Sequence, residues 1–214
     1  MFSPTDIITI FGMRGSGKST LGKNIAFQYP RLVVIDRLRE WQDSDTVAGR
    51  DLITDNFREA IDFLVNKLGQ KEWRLIFQFD VEQGNESQND TLDAILRTLY
   101  KRGSISGENV CLLIEEVHFF ASTHSITQWI SECIFTGRHA NLSIIASSQR
   151  PATVAKALVS QSAHVFIGQL YEKRDIDYFY DTIGEAAEKI PSLEKFSFLH
   201  YQIGKPHSIV KNTV

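Results

Sequence analysis

"FGMRGSGKST" (residues 11–20) follows directly on the apolar run "IITI" (residues 7–10). In it Gly12 is followed, four residues on, by Gly17, Lys18 and Ser19. This is the spacing of a loop whose backbone N–H groups wrap a phosphate at a helix amino terminus. The context agrees, because a β-branched run precedes the glycines and "STLGKNIAF" (residues 19–27) continues with helical spacing. The expected nucleotide contacts are Gly12, Met13, Arg14, Gly15, Ser16, Gly17, Lys18, Ser19 and Thr20. Lys18 would neutralise the β and γ phosphates of ATP, and Ser19 would place its hydroxyl on Mg²⁺.

Outward from this loop, short β-rich runs alternate with helical patterns, the signature of an α/β protein with a mostly parallel central sheet flanked by helices. Strands are predicted at residues 7–11, 32–35, 74–79, 110–114, 142–147 and 164–168. "FSFLHYQI" (196–203) and "HSIV" (207–210) predict a carboxy-terminal antiparallel pair turned at "GKP". Phe57, Ile61, Leu64, Val65 and Leu68 recur at helical spacing, with Gly69 as the stop. Leu92, Ile95, Leu96 and Leu99 repeat the pattern after Asp90, with Gly103 ending it. Ser125 to Gln128 fits a capping box opening a helix toward Thr136. "VEQGNESQND" (81–90) reads as an exposed loop. With no internal repeat or linker, residues 1–214 are expected to form a single domain.

Composition fits a globular chain: 214 residues, 43% hydrophobic and 23% charged. No apolar stretch reaches the roughly 18 to 20 residues of a membrane span, and "MFSPTD" lacks the layout of a secretory signal. The expected location is cytoplasmic. Cys111 and Cys133 fit buried thiols in a reducing compartment. The net charge of -3 gives no overall attraction to nucleic acid, so a polynucleotide partner would need a local patch or pooled charges from several subunits. His118, His124, His139 and His164 lack metal-ligand spacing and read as structural or surface residues. Trp41, Trp73 and Trp129 read as core or interface anchors.

Hydrolysis needs carboxylates at a strand end beside the phosphate loop. "NVCLLIEEVHFF" (109–120) supplies a buried strand ending in Glu115 and Glu116. Such a pair is costly to bury unless a cation or solvent receives it. Glu115 is assigned to the Mg²⁺ side and Glu116 to the attacking water as general base. "LSIIASSQRP" (142–151) turns abruptly polar at Ser147, Ser148 and Gln149. An amide at that tip can bond phosphate or water, which makes Gln149 the sensor candidate.

Together these stretches resemble the FtsK and HerA superfamily of P-loop ATPases, of the ASCE/RecA-like class. The resemblance rests on the phosphate loop, "LLIEE", and "GRHANLSIIASSQRP" (137–151), where Arg138 stands eleven residues before Gln149 and Arg150-Pro151 follow directly. "DRLREW" (36–41) is similar to the D-x-x-G-E-aromatic stretch of HerA-like proteins, with Arg39 where they tend to have glycine. The resemblance implies a ring homo-oligomer, pentamer or hexamer, with ATP between neighbouring subunits and Arg138 as a finger reaching the next protomer's γ-phosphate. Arg150 is the competing finger. It further implies double-stranded DNA as the translocated partner, with Lys101 and Arg102, then Lys156 and Lys173, as pore candidates. At this length the chain looks most like the minimal genome-packaging ATPases of viruses. That implies the host cytoplasm or a virion vertex as its place, and capsid or portal proteins as further partners. Two alternatives stand beside this reading: an assembly ATPase acting on protein or membrane partners, as Zot-like proteins do, and a P-loop small-molecule kinase.

Overall fold

The computed structural model describes residues 2–67, 69–80, 82 and 84–212. In chain order the elements are β1 (Ile7–Phe11), α1 (Lys18–Ala26), β2 (Arg31–Asp36), β3 (Leu52–Thr54), α2 (Phe57–Asn66), β4 (Trp73–Gln78) and α3 (Asn85–Ser106). They continue with β5 (Val110–Ile114), α4 (Gln128–Thr136), β6 (Leu142–Ser148), α5 (Lys156–Ser160), β7 (His164–Ile167), α6 (Lys173–Ile183), β8 (Ser197–Tyr201) and β9 (Ser208–Lys211). The strands form one sheet in the order β3-β4-β2-β5-β6-β1-β7-β8-β9. Pairing is parallel from β3 through β7, and the pairings of β7 with β8 and of β8 with β9 are antiparallel. The α/β class, the parallel core and the terminal strand pair match the reading of the sequence.

β1 and β5 are buried at every position, because a parallel sheet covered on both faces leaves no side of a central strand wet. On one face Ile8, Ile10, Val34 and Leu113 pack with Leu21 and Ile25 of α1. On the other, Val33, Ile35, Leu112 and Ile144 pack with Leu64 of α2, Leu96 of α3, Ile130 of α4 and Phe179 of α6. The functional consequence lies in the register. Phe11 is level with Ser148, and Ile35 with Ile114, so the loops after β1, β2, β5 and β6 emerge along one edge of the sheet.

Several local expectations are corrected. α3 opens at Asn85, not after Asp90, so most of the polar stretch read as a loop is helical; Val81 and Gln83 lie outside the described residues. Its first turns carry no apolar residue and residues 85–87 are exposed, so the helix becomes buried only from Gln88 and Leu92 onward. Gly103 does not end it. It is a packing glycine within the helix, since a Cβ there would overlap the carbonyl oxygen of Ala140, and the helix runs on to Ser106 until the chain turns left-handed at Gly107. α4 is capped by Thr127, whose hydroxyl accepts from the Ile130 N–H at 3.4 Å, rather than by Ser125. α2 ends at Asn66; of its expected periodic residues, Leu68 lies outside the described residues. β3, a half-buried edge strand of three residues, is too short to leave a periodic signal.

Candidate active site

The phosphate loop leaves β1 at Gly12 and closes into α1 at Gly17, whose φ of 97° is open to glycine at little cost. A side chain there would also collide with the ring of Phe196, which backs the loop through an N–H to the Ser16 carbonyl at 3.2 Å. Met13 is pinned from behind, its N–H donating to the Gln169 carbonyl at 2.8 Å. α1 carries no side-chain cap and no acid in its first turn. Its first amide groups and dipole are thus uncompensated, the condition for receiving an anion. Arg14 and Gly15 are exposed at the loop tip, Ser16 is buried, and Thr20 lies in the first turn of the helix. The Lys18 ammonium folds back to the Met13 carbonyl at 3.4 Å. Burial lowers its pKa, against the opposing charges of Glu116, Glu40 and Glu115.

The two glutamates after β5 part company. Glu116 takes φ 48° and ψ 51°, a left-handed conformation uncommon outside glycine and of the kind that collects at reactive sites. Its Oε1 accepts from Gln149 Nε2 at 2.6 Å and its Oε2 from the Gln149 backbone N–H at 3.2 Å. His118 Nδ1 lies 3.3 Å from Oε2 and 3.0 Å from Ser148 Oγ. Burial pushes the Glu116 carboxyl up, but the bonds from His118 and Gln149 and the charge of Lys18 outweigh it and hold it below the usual range. Glu116 is thus kept ionised and aimed at the tip of β6.

Glu115 is 4% exposed, and its Oε2 has no hydrogen-bond partner among the described residues. Burial, reinforced by Asp36 and Glu40, pushes its carboxyl up to about 8. A buried carboxylate oxygen of this kind, without a hydrogen-bond partner among the described residues and with its charge acting on Lys18 at the head of α1, suits a hard cation with oxygen ligands such as Mg²⁺. The residues present therefore fit the metal. Ser19 Oγ donates to Glu40 Oε2 at 3.0 Å. Glu40 lies in the stretch whose pattern was noted in the sequence, but its partnership with Ser19 spans 21 residues and has no local signal.

The two candidate fingers stand at opposite ends. Arg150 is exposed beside the loop, lining with Met13, Arg14, Gln149 and Arg174 a cavity of about 400 Å³. Arg138 is in the turn before β6, at the far edge of the sheet from Gly12, and with Asp6 and Phe135 it lines a cavity of about 310 Å³. The seven residues of β6 separate that turn from the phosphate end, roughly 20 Å of strand. Its guanidinium is exposed and makes no ion pair among the described residues. Arg138 is therefore out of reach of its own chain's phosphate loop.

Other expectations change. Arg102, a pore candidate, is buried: it donates to the Leu64 carbonyl and pairs with Glu108 at 3.1 Å, its stem serving the core. Lys101 and Lys156 are exposed, and Lys173 pairs with Asp177 at 3.4 Å. A cavity of about 640 Å³ between α2, α3 and the start of α4 is lined by Arg58, Asp93, Arg97, Lys101 and Trp129, and of the groups above it holds Lys101 but neither the phosphate loop nor the glutamates. Trp41 and Trp73 are core residues. His118, read as structural or surface, instead touches the carboxylate at the centre of the site.

No protein-family model matches the chain, and no curated protein matches it. Solved structures do. The genome packaging NTPase B204 of Sulfolobus turreted icosahedral virus 2, in complex with ATP-gammaS, superposes with a TM-score of 0.75 at 21% identity, covering 98% of each chain. The fold is that of the P-loop ATPases. B204 described as the DNA-packaging ATPase of Sulfolobus turreted icosahedral virus gives 0.71 at 22% identity over the whole of both chains. VirB4 of Thermoanaerobacter pseudethanolicus gives 0.72 at 12%, covering 97% of this chain and 89% of its own. On the P-loop fold the resemblance drawn from the motifs holds, and the phosphate loop, both glutamates and Gln149 occupy the same edge of the sheet.

Proposed function

We propose that this chain hydrolyses ATP with Mg²⁺, and that copies standing side by side in a ring use the hydrolysis to move double-stranded DNA, as a viral genome-packaging motor does. The observation carrying the hydrolytic reading is the clasp of Gln149 on an ionised Glu116 at the phosphate end of the sheet. Glu116 is the general base. Water attacks the γ-phosphorus, the bond to the β–γ bridging oxygen breaks, ADP and phosphate form, and the proton of the attacking water passes to the Glu116 carboxylate. Lys18 and the open amides of α1 hold the β and γ phosphates, and Gln149 orients water or phosphate. Ser19 and Glu115 would hold Mg²⁺, which when bound neutralises charge on the phosphate oxygens.

The ring is the arrangement that the position of Arg138 supports. A guanidinium that is exposed, unpaired among the described residues and a strand's length from its own phosphates is free to act on a neighbouring molecule's nucleotide. Arginines supplied this way are worth about 10³ to 10⁵ in rate. The similarity of fold to the genome-packaging ATPase B204 supports DNA as the cargo. Lys101 and Lys156 are the exposed cations to test for contact with the duplex, and a capsid or portal vertex is the proposed mount.

ATPase rate measured against protein concentration, with and without duplex DNA, tests the reading. Specific activity is expected to rise with concentration and to be stimulated by duplex. Full activity in dilute protein, indifferent to DNA, would refute the motor.

A further inference from the structure

We infer that Glu40 is a second carboxylate of the magnesium site, acting on the metal beside Ser19 and Glu115; this rests on the nucleotide reading above. Sequence spacing points only to Ser19 and Glu115. The structure adds an exposed glutamate whose Oε2 accepts the Ser19 hydroxyl at 3.0 Å, the same hydroxyl that a P-loop offers its cation.

The loop bearing Glu40 is built to keep it there. Asp36 is fully buried at the end of β2 and accepts the N–H of Glu40 at 3.0 Å, the N–H of Trp41 at 2.9 Å and Gln78 Nε2 at 2.9 Å. Arg39, just before it, sits at φ 56° in the left-handed region, held by its Nε to the Phe79 carbonyl at 3.1 Å and its Nη2 to Asp55 at 2.8 Å. Trp41, just after it, is 2% exposed. The backbone of Glu40 is thus fixed on both sides.

Charge then decides the role. Asp36 is satisfied by its three donors, and Lys23 is paired with Asp45 at 2.8 Å. That leaves Glu40, whose oxygen holds the Ser19 hydroxyl at the head of α1, and the buried Glu115 oxygen without a hydrogen-bond partner among the described residues, with Lys18 the cation whose charge acts on both. A carboxylate alone at a helix amino terminus is merely favourable. With ATP present it would repel the phosphates, and the clamped backbone keeps the root of the Glu40 side chain beside them. A divalent cation between the two turns both repulsions into attraction.

The test compares wild type with Glu40→Gln, using AMPPCP as the nucleotide. Binding is measured in EDTA and in Mg²⁺, and Mn²⁺ binding to the protein–AMPPCP complex is followed by electron paramagnetic resonance. Glu40→Gln is expected to weaken Mn²⁺ binding about 10- to 100-fold, as loss of a supporting ligand does, with AMPPCP affinity in EDTA unchanged or tighter. Glu40→Asp, which keeps the charge and loses a methylene, should fall between. Wild-type metal affinity in Glu40→Gln would overturn the inference, as would an equal loss of nucleotide affinity with and without metal, which marks a purely structural loop. A wild-type protein that binds no AMPPCP at all would instead overturn the nucleotide reading. A wild-type Mn²⁺ response lost in Glu115→Gln but kept in Glu40→Gln would leave that reading standing and remove only Glu40.

Discussion

Gln149 grips Glu116 with two nitrogens, the side-chain amide on one carboxylate oxygen at 2.6 Å and the backbone N–H on the other at 3.2 Å. The proposed base and the proposed sensor are thus joined by two hydrogen bonds, and a γ-phosphate that recruited the side-chain amide would take one of them from the carboxylate. Glu116→Gln should keep nucleotide affinity within a few-fold and lose about 10² to 10⁴ in turnover, the range for a general base. Gln149→Ala should also bind nucleotide but turn over slowly, since Glu116 loses its orientation. Single-turnover phosphate release beside a nucleotide titration checks both; normal hydrolysis by Glu116→Gln means another base acts.

The placement of Arg138 predicts behaviour in mixtures. Arg138→Ala subunits should bind ATP as wild type does yet fail their neighbours, so doping them into wild-type protein should depress turnover by more than their share. Arg150 lies beside its own loop, so Arg150→Ala should impair the subunit that carries it. A linear response to Arg138→Ala counts against a trans role.

Gly103→Ala tests packing where α3 crosses the turn carrying Arg138. The added methyl would overlap the Ala140 carbonyl oxygen, with backbone on both sides and no flexible side chain to yield. Such overpacking costs about 1 to 3 kcal/mol, read as a lower urea midpoint at unchanged slope. An unchanged midpoint would mean that the crossing is looser than described.

A histidine pair ties β7 to β8, His164 Nδ1 lying 2.9 Å from His200 Nε2 with the rings stacked. Burial lowers the pKa of His164, partly opposed by Asp6; burial, His164 and Lys205 lower that of His200. A folded value below the unfolded one of about 6.5 means that this stability is present above that pH and lost as pH falls. Glu115, raised to about 8, works in the opposite direction, favouring the fold at low pH and losing that contribution as pH rises. The quantity to read is therefore a difference: melting temperature between pH 5 and 7.5 should fall less steeply on acidification in His200→Gln than in wild type. Identical slopes would place the pair outside the folding equilibrium.

What the sequence discloses here is what is local. The phosphate loop, "LLIEE" and Gln149 are legible because each is a strand tip followed at once by its chemistry. Glu40 was hidden because its meaning depends on Asp36 clamping its amide and on Ser19, distant in the chain. Arg39 stands where the related pattern has glycine, and its left-handed φ of 56° gives the physical reason for that preference. Arg102 misled because its charge suggests solvent while its stem and its Glu108 partner place it inside. His118 gave no signal at all, since only the fold brings it to Glu116. The start of α3 was obscured because its exposed first turns carry no apolar period.

The length of α3 has a mechanical consequence. The 22 residues of α3 make a rod about 33 Å long. At its head, Asn85 and Gln88 are held at 3.1 and 2.9 Å by Arg37, whose guanidinium lies 3.6 Å over the ring of Phe119, three residues beyond Glu116. At its foot, Gly103 lies against the backbone of Ala140, two residues beyond Arg138. A single stiff helix thus joins the turn that carries Glu116, through Arg37 and Phe119, to the turn that carries Arg138, so that a displacement imposed on one end would be passed to the other rather than absorbed.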